Sequence, residues 1–105
     1  PSPATATAML DSLSIDDFRA LVGSPVRVSQ GTSEGALEVA DVRPLHNPTP
    51  RSVPPFVVTL RHAGTQRSLA QGMYRLHHPQ HGALDLFMVP VGPDGQGMCY
   101  EVVFN

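Results

Sequence analysis

Tryptophan and lysine are absent from this chain, cysteine occurs once, and only 15% of the 105 residues are charged. Each shortage removes a class of function. A single cysteine, Cys99, makes an intrachain disulfide impossible, so a secreted disulfide scaffold is excluded and a reducing, cytoplasmic setting is expected. A formal net charge of -2 provides no long-range field to draw the chain to nucleic acid or anionic lipid, and neither partner is expected. All seven basic residues are arginine, which arginine-rich codon usage explains more simply than a phosphate site does. No stretch approaches the roughly 18 apolar residues of a bilayer span, and the opening PSPATATAM lacks the basic start and apolar run of a signal peptide. A soluble protein is the expectation, with residues 1–8 a flexible extension or expression remnant before Met9 and residues 9–105 a single globular domain.

What is present is mostly two-residue alternation. The exception comes first: in LSIDDFRALVG, Ser14 and Asp17 stand at capping-box spacing, Leu13 and Phe18 at the staple positions, and Gly23 as a stop. A helix of about two turns is expected there, with Ile15, Phe18, Leu21 and Val22 on one face, too short to stand without docking. After Gly23 the apolar residues alternate as Val26 and Val28; Leu37 and Val39; Phe56, Val58 and Leu60; Tyr74 and Leu76; Leu84, Leu86 and Met88; and Tyr100, Val102 and Phe104. In the second run Asp41 falls on the inward parity and Val42 restores the pattern one residue late, which predicts a bulge near Ala40 and Asp41. The turn-forming stretches QGTSEG, HAGTQ, HPQHG and GPDGQG are short and favour antiparallel neighbours; RPLHNPTPRSVPP is long enough to cross a sheet edge or to display a binding loop. No internal repeat is visible. The fold expected is mainly β, a small curved antiparallel sheet or partly open barrel of about six strands, plugged at one end by one short N-terminal helix.

Three of the five histidines crowd into YRLHHPQHG, and His77 with His81, or His78 with His81, is a spacing that permits a metal. Adjacent strand residues face opposite ways, so His77 and His78 cannot both ligate within a strand. Pro79 holds His78 extended, and His46, His62, Asp85 or Cys99 would have to arrive from separate strands. A strand end running into a proline turn is the simpler reading, with His78 inward and satisfied by hydrogen bonds, and His77 and His81 facing water. Cys99 with a histidine, or Ser68 with His62 and Asp85, lacks the local signature of an activated nucleophile, so no catalytic residue is assigned. GPDGQG precedes a strand and reads as a hairpin turn, not a phosphate loop. No cofactor is expected.

The motifs FRALVG, QGMYRLHHPQHG, FMVPVG and YEVVFN together resemble a family of short bacterial domains of unknown function, over about residues 9–105. The matching residues are Phe18, Leu21, Val22 and Gly23; Gln71, Gly72, Tyr74, Leu76, His78, Pro79 and Gly82; Phe87, Val89, Pro90, Val91 and Gly92; and Tyr100, Glu101, Phe104 and Asn105. The resemblance implies no reaction; of the three histidines it includes only His78, and it associates the chain with phage-tail-like or surface assemblies. The function expected is a non-catalytic protein-interaction or assembly domain with a protein partner. A homodimer would form if the C-terminal strand lay on a sheet edge. The alternative is a metal-dependent enzyme or metal-binding domain centred on His78, with His81 as second ligand.

Overall fold

The computed structural model describes residues 13–46, 54–65 and 68–104. The N-terminal extension and the centre of the Pro-rich loop lie outside them. A short helix, α1 (Asp16–Arg19), precedes six strands: β1 (Pro25–Gln30), β2 (Ser33–Pro44), β3 (Phe56–Ala63), β4 (Gly72–His78), β5 (Gly82–Pro93) and β6 (Gly97–Phe104). Every pairing is antiparallel, and the ring closes in the order β1-β2-β3-β6-β5-β4. Closure rests on a short seam between β1 and β4, where Arg27, Val28 and Ser29 face His77, Leu76 and Arg75.

The inward parity of each strand is what the alternation indicates. Val26, Val28, Leu37, Val39, Phe56, Val58, Leu60, Tyr74, Leu76, Leu84, Leu86, Met88, Tyr100, Val102 and Phe104 form one buried cluster. The predicted slip in β2 is present as a register shift between Val39 and Asp41. A second shift between Pro90 and Gly92 has the same effect on β5. In both long strands the bulge follows the change of partners, from β1 to β3 in β2 and from β4 to β6 in β5. A bulge bends the strand and lets a small sheet curl into a barrel.

Exchanging β1, β2 and β3 for β4, β5 and β6 returns the same ring, so the topology carries an approximate two-fold repeat that the sequence does not display. In each half a segment ahead of the first strand covers one end of the barrel. Before β1 it is α1, whose Phe18 is fully buried with ring centroids 5.9 Å from Phe56 and 5.2 Å from Phe104. Before β4 it is a strap described over residues 68–71. The hydroxyl of fully buried Tyr100 accepts the Leu69 N–H at 2.8 Å, and the Tyr74 hydroxyl donates to the Ala70 carbonyl at 2.6 Å.

Three expectations need correction. The helix is a single turn, and Val22 is 47% exposed while Ile15 and Leu21 pack on the core. Only half of the capping box forms: the Asp17 carboxylate accepts the Ser14 N–H at 2.7 Å, whereas Ser14 Oγ turns to the same carboxylate at 3.4 Å and does not cap the Asp17 N–H. The C-terminal strand is no edge, because β6 is bonded to β3 along its whole length and to β5 over its first half. Barrel closure therefore removes the free edge on which the expected strand-pairing dimer depended. Among the described residues no helix is long and apolar enough to cross a membrane.

Candidate functional site

The histidine turn joins β4 to β5 beneath α1. His78 is 3% exposed, and both of its ring nitrogens are engaged. Nε2–H donates to the Asp17 carbonyl at 2.7 Å, and Nδ1 accepts the N–H groups of Gln80 at 3.1 Å and His81 at 3.2 Å. Those partners fix the tautomer and leave no lone pair for a metal. Phe18 meets the imidazole in a T-shaped contact at 5.1 Å. His78 therefore ties the helix to the turn and the turn to itself.

His81 does not simply face water. Its Nε2–H donates to Asp17 Oδ1 at 3.1 Å, and its ring lies 4.8 Å from that of His78. His77 is half-buried on the outer face, with Nε2 3.3 Å from Ser29 Oγ across the barrel seam. No group of three or more His, Cys, Asp or Glu among the described residues could hold a metal ion.

The nucleophiles considered from sequence are no better placed. Burial and the neighbouring Asp94 carboxylate push the Cys99 thiol up, away from the reactive thiolate. Ser68 Oγ donates to the Leu69 carbonyl, while Asp85 is held by Arg75 at 2.9 Å on the outer face. His46 closes the described part of the chain after β2 and meets none of these residues in a hydrogen bond. What sequence reading missed is Arg61, which bridges β3 to Glu38 of β2 at 2.8 Å and to Asp94 of the β5–β6 turn at 2.6 Å.

Three carboxyls are held below the ordinary range: Asp85 by its ion pair with Arg75, and Asp94 and Asp17 by other partners. Arg61 and the Gln96 N–H hold Asp94 down at about 2, and the Ser14 N–H, followed by His81, lowers Asp17. A carboxyl with a depressed folded pKa contributes stability above its unfolded value and loses it as pH falls through the folded one. The melting temperature is expected to fall between about pH 4 and about pH 2, and Asp94→Asn to flatten part of that slope. Melting curves across an acid series check this; an unchanged slope in Asp94→Asn contradicts it.

Two surfaces remain without an internal role. On the outer face of β4 and β5, Met73 stands directly opposite Phe87, and the two are 55% and 50% exposed. Val91, at the β5 bulge, is 51% exposed. The ion pair of Arg75 with Asp85 flanks Met73 and Phe87 on one side, and that of Arg43 with Glu101 lies beyond Val89 on the other. A parity reading could have found Phe87, the aromatic that alternates outward between Leu86 and Met88. The second surface is a half-open pocket of about 220 Å³ at the strap end, lined by Val28, Leu37, Leu69, Tyr74, Gln30 and His62 among others. No sequence signal marks it, because strap and hairpin meet only in the fold.

A family model described as Domain of unknown function (DUF6916) matches residues 13–104. No curated protein and no solved structure matches the chain.

Proposed function

This chain belongs to the DUF6916 family of domains of unknown function, and from that premise we propose that it is a non-catalytic protein-interaction domain whose contact surface is the outer face of β4 and β5. The observation that carries the reading is the directly opposed, half-exposed pair Met73 and Phe87. Two large apolar side chains side by side in water gain more from being covered by a partner than any other outward pair in these strands. Ion pairs on either side supply the polar rim that surrounds a protein contact. The partner is a protein, a second copy of the chain included. An accessory role in a tail-like or surface assembly is the form that the sequence resemblance suggests, and the free, buried Cys99 suits a reducing cytoplasm.

The test places a photo-crosslinking residue at position 87 in the native host, with position 34 as the control. A defined protein adduct is expected at 87 and not at 34, at twice the chain mass if the partner is a second copy. Met73→Glu is expected to weaken that adduct about tenfold while changing stability by less than about 0.5 kcal/mol, because the side chain is exposed. Equal labelling at the two positions, or none at 87, ends the proposal.

A further inference from the structure

The strand registers place the outward side chains on a grid, because neighbouring strands lie about 4.8 Å apart and alternate residues along a strand about 6.7 Å apart. Asp85, Phe87 and Val89 follow one another on the outer face of β5. On the β4 side Arg75 stands opposite Asp85 and Met73 opposite Phe87; on the β6 side Glu101 stands opposite Val89. Arg75 is thus one strand to one side of Phe87 and one step toward the histidine turn, and Glu101 is one strand to the other side and one step away from it. The two charges occupy opposite corners of the grid, each Cα about 8 Å from that of Phe87, which lies midway between them. Phe87 is 50% exposed, and the side chains of Arg75 and Glu101 are 55% and 32% exposed. Val103, two residues on from Glu101 along β6, is half-exposed like Met73 and widens the apolar centre.

A base and an acid at opposite corners about an exposed aromatic make a self-complementary surface. A two-fold axis lying in the contact plane, through Phe87 and at right angles to the line from Arg75 to Glu101, lays Arg75 of one copy over Glu101 of the other and the reverse. Phe87 then meets its own mate, and the strands of the two faces cross at about 70°, near the orthogonal class of sheet packing. The existing ion pairs leave room for this. Arg75 gives Nε and Nη2 to Asp85, and Arg43 takes Oε2 of Glu101, so among the described residues Arg75 Nη1 and Glu101 Oε1 stay available to each other. Across the axis Asp85, Arg75, the second copy's Glu101 and its Arg43 alternate in sign, and a net charge of only -2 per chain opposes association weakly.

We propose that the chain forms a two-fold homodimer through the outer faces of β4, β5 and β6, centred on Phe87, with Arg75 of each copy paired to Glu101 of the other. The dimer rests on the outer face being the contact surface, as proposed above, and names the partner as a second copy. It uses a sheet face and needs no free strand edge. With Met73, Phe87 and Val103 as its apolar centre the contact lies at the small end of specific interfaces, about 1,200 Å² in total, and a dissociation constant on the order of 10 μM is expected.

Sedimentation equilibrium of the intact chain tests this with Arg75→Glu and Glu101→Arg made separately. Each variant alone sets like charges against each other twice across the axis and is expected to weaken the dimer by about tenfold or more. An equimolar mixture of the two is expected to associate within about threefold of the wild type, because the new acid of one faces the new base of the other. Each substitution also breaks an ion pair within its own chain, at a cost that is the same alone or mixed, so only a contact across the axis responds to mixing. Both side chains reach solvent, and folded spectra are expected of both variants. A chain that stays monomeric at about 1 mM, or a mixture that associates no better than its components, overturns the proposal. A monomeric chain whose position 87 still labels a different protein overturns the dimer alone and leaves the outer face as a contact surface.

Discussion

Gly97→Ala is expected to destabilise the barrel by about 3 kcal/mol, a loss of roughly 12–24 °C in melting temperature for a domain of this size. Gly97 opens β6 opposite Ala63 of β3, and a Cβ there would collide with the His62 carbonyl oxygen, the His62 carbonyl carbon and the Ala63 Cα. All three are backbone atoms of the paired strand. None can rotate aside, so relief requires β3 and β6 to separate where the Arg61 network and the β5–β6 turn are anchored. Space, not backbone conformation, is what glycine supplies at this position, since Gly97 is not among the residues with positive φ. Two further glycines separate the effects. Gly95→Ala faces open space at φ +92° and is expected to lose about 1 kcal/mol for conformation alone. Gly35→Ala, with open space and no positive φ, is expected to be neutral within about 0.5 kcal/mol. Urea unfolding of the three variants measures the series; a Gly97→Ala protein as stable as Gly95→Ala would show that the strands open at little cost.

Most of the barrel wall was legible because its signal is local. A half-buried strand writes its inward face into every second residue, and each alternating run from Val26 to Phe104 became a strand with that face inside. The β2 bulge was visible for the same reason, since an acid at Asp41 interrupts the inward series. The β5 bulge was not, because Val89, Pro90 and Val91 are all apolar and a one-residue slip among them leaves no mark. Closure was illegible in principle: it depends on three residue pairs between β1 and β4, some 48 positions apart in the chain, and alternation identifies faces but not neighbours. The helix came out shorter than its pattern because Ser14 and Asp17 satisfied only one of the two capping bonds. Contacts made at the ends of the barrel, such as those of His81, Arg61 and His62, join segments remote in sequence, and so the pocket was missed altogether.

His78→Ala is expected to remove about 2–4 kcal/mol of stability, and neither neighbouring histidine to approach that. The imidazole is buried, and three backbone groups from two segments depend on it. Alanine leaves the N–H groups of Gln80 and His81 and the carbonyl of Asp17 without partners, and opens a cavity beside Phe18, which plugs the core. A buried unsatisfied group costs about 1–3 kcal/mol, and some of the three regain water because the turn is near the surface, which sets the total below the simple sum. His81→Ala breaks only a half-exposed contact with Asp17 and is expected to cost less than about 1 kcal/mol. His77→Ala loses the 3.3 Å contact with Ser29 and is expected to cost about as little. Urea unfolding of the three variants distinguishes a structural knot from a ligand cluster. A knot concentrates the loss at His78 and gives the same order with or without chelator. A metal site would spread the loss over His78 and His81 and make the wild-type midpoint fall when chelator is added, a result that would overturn the assignment of His78 as a hydrogen-bonded clamp.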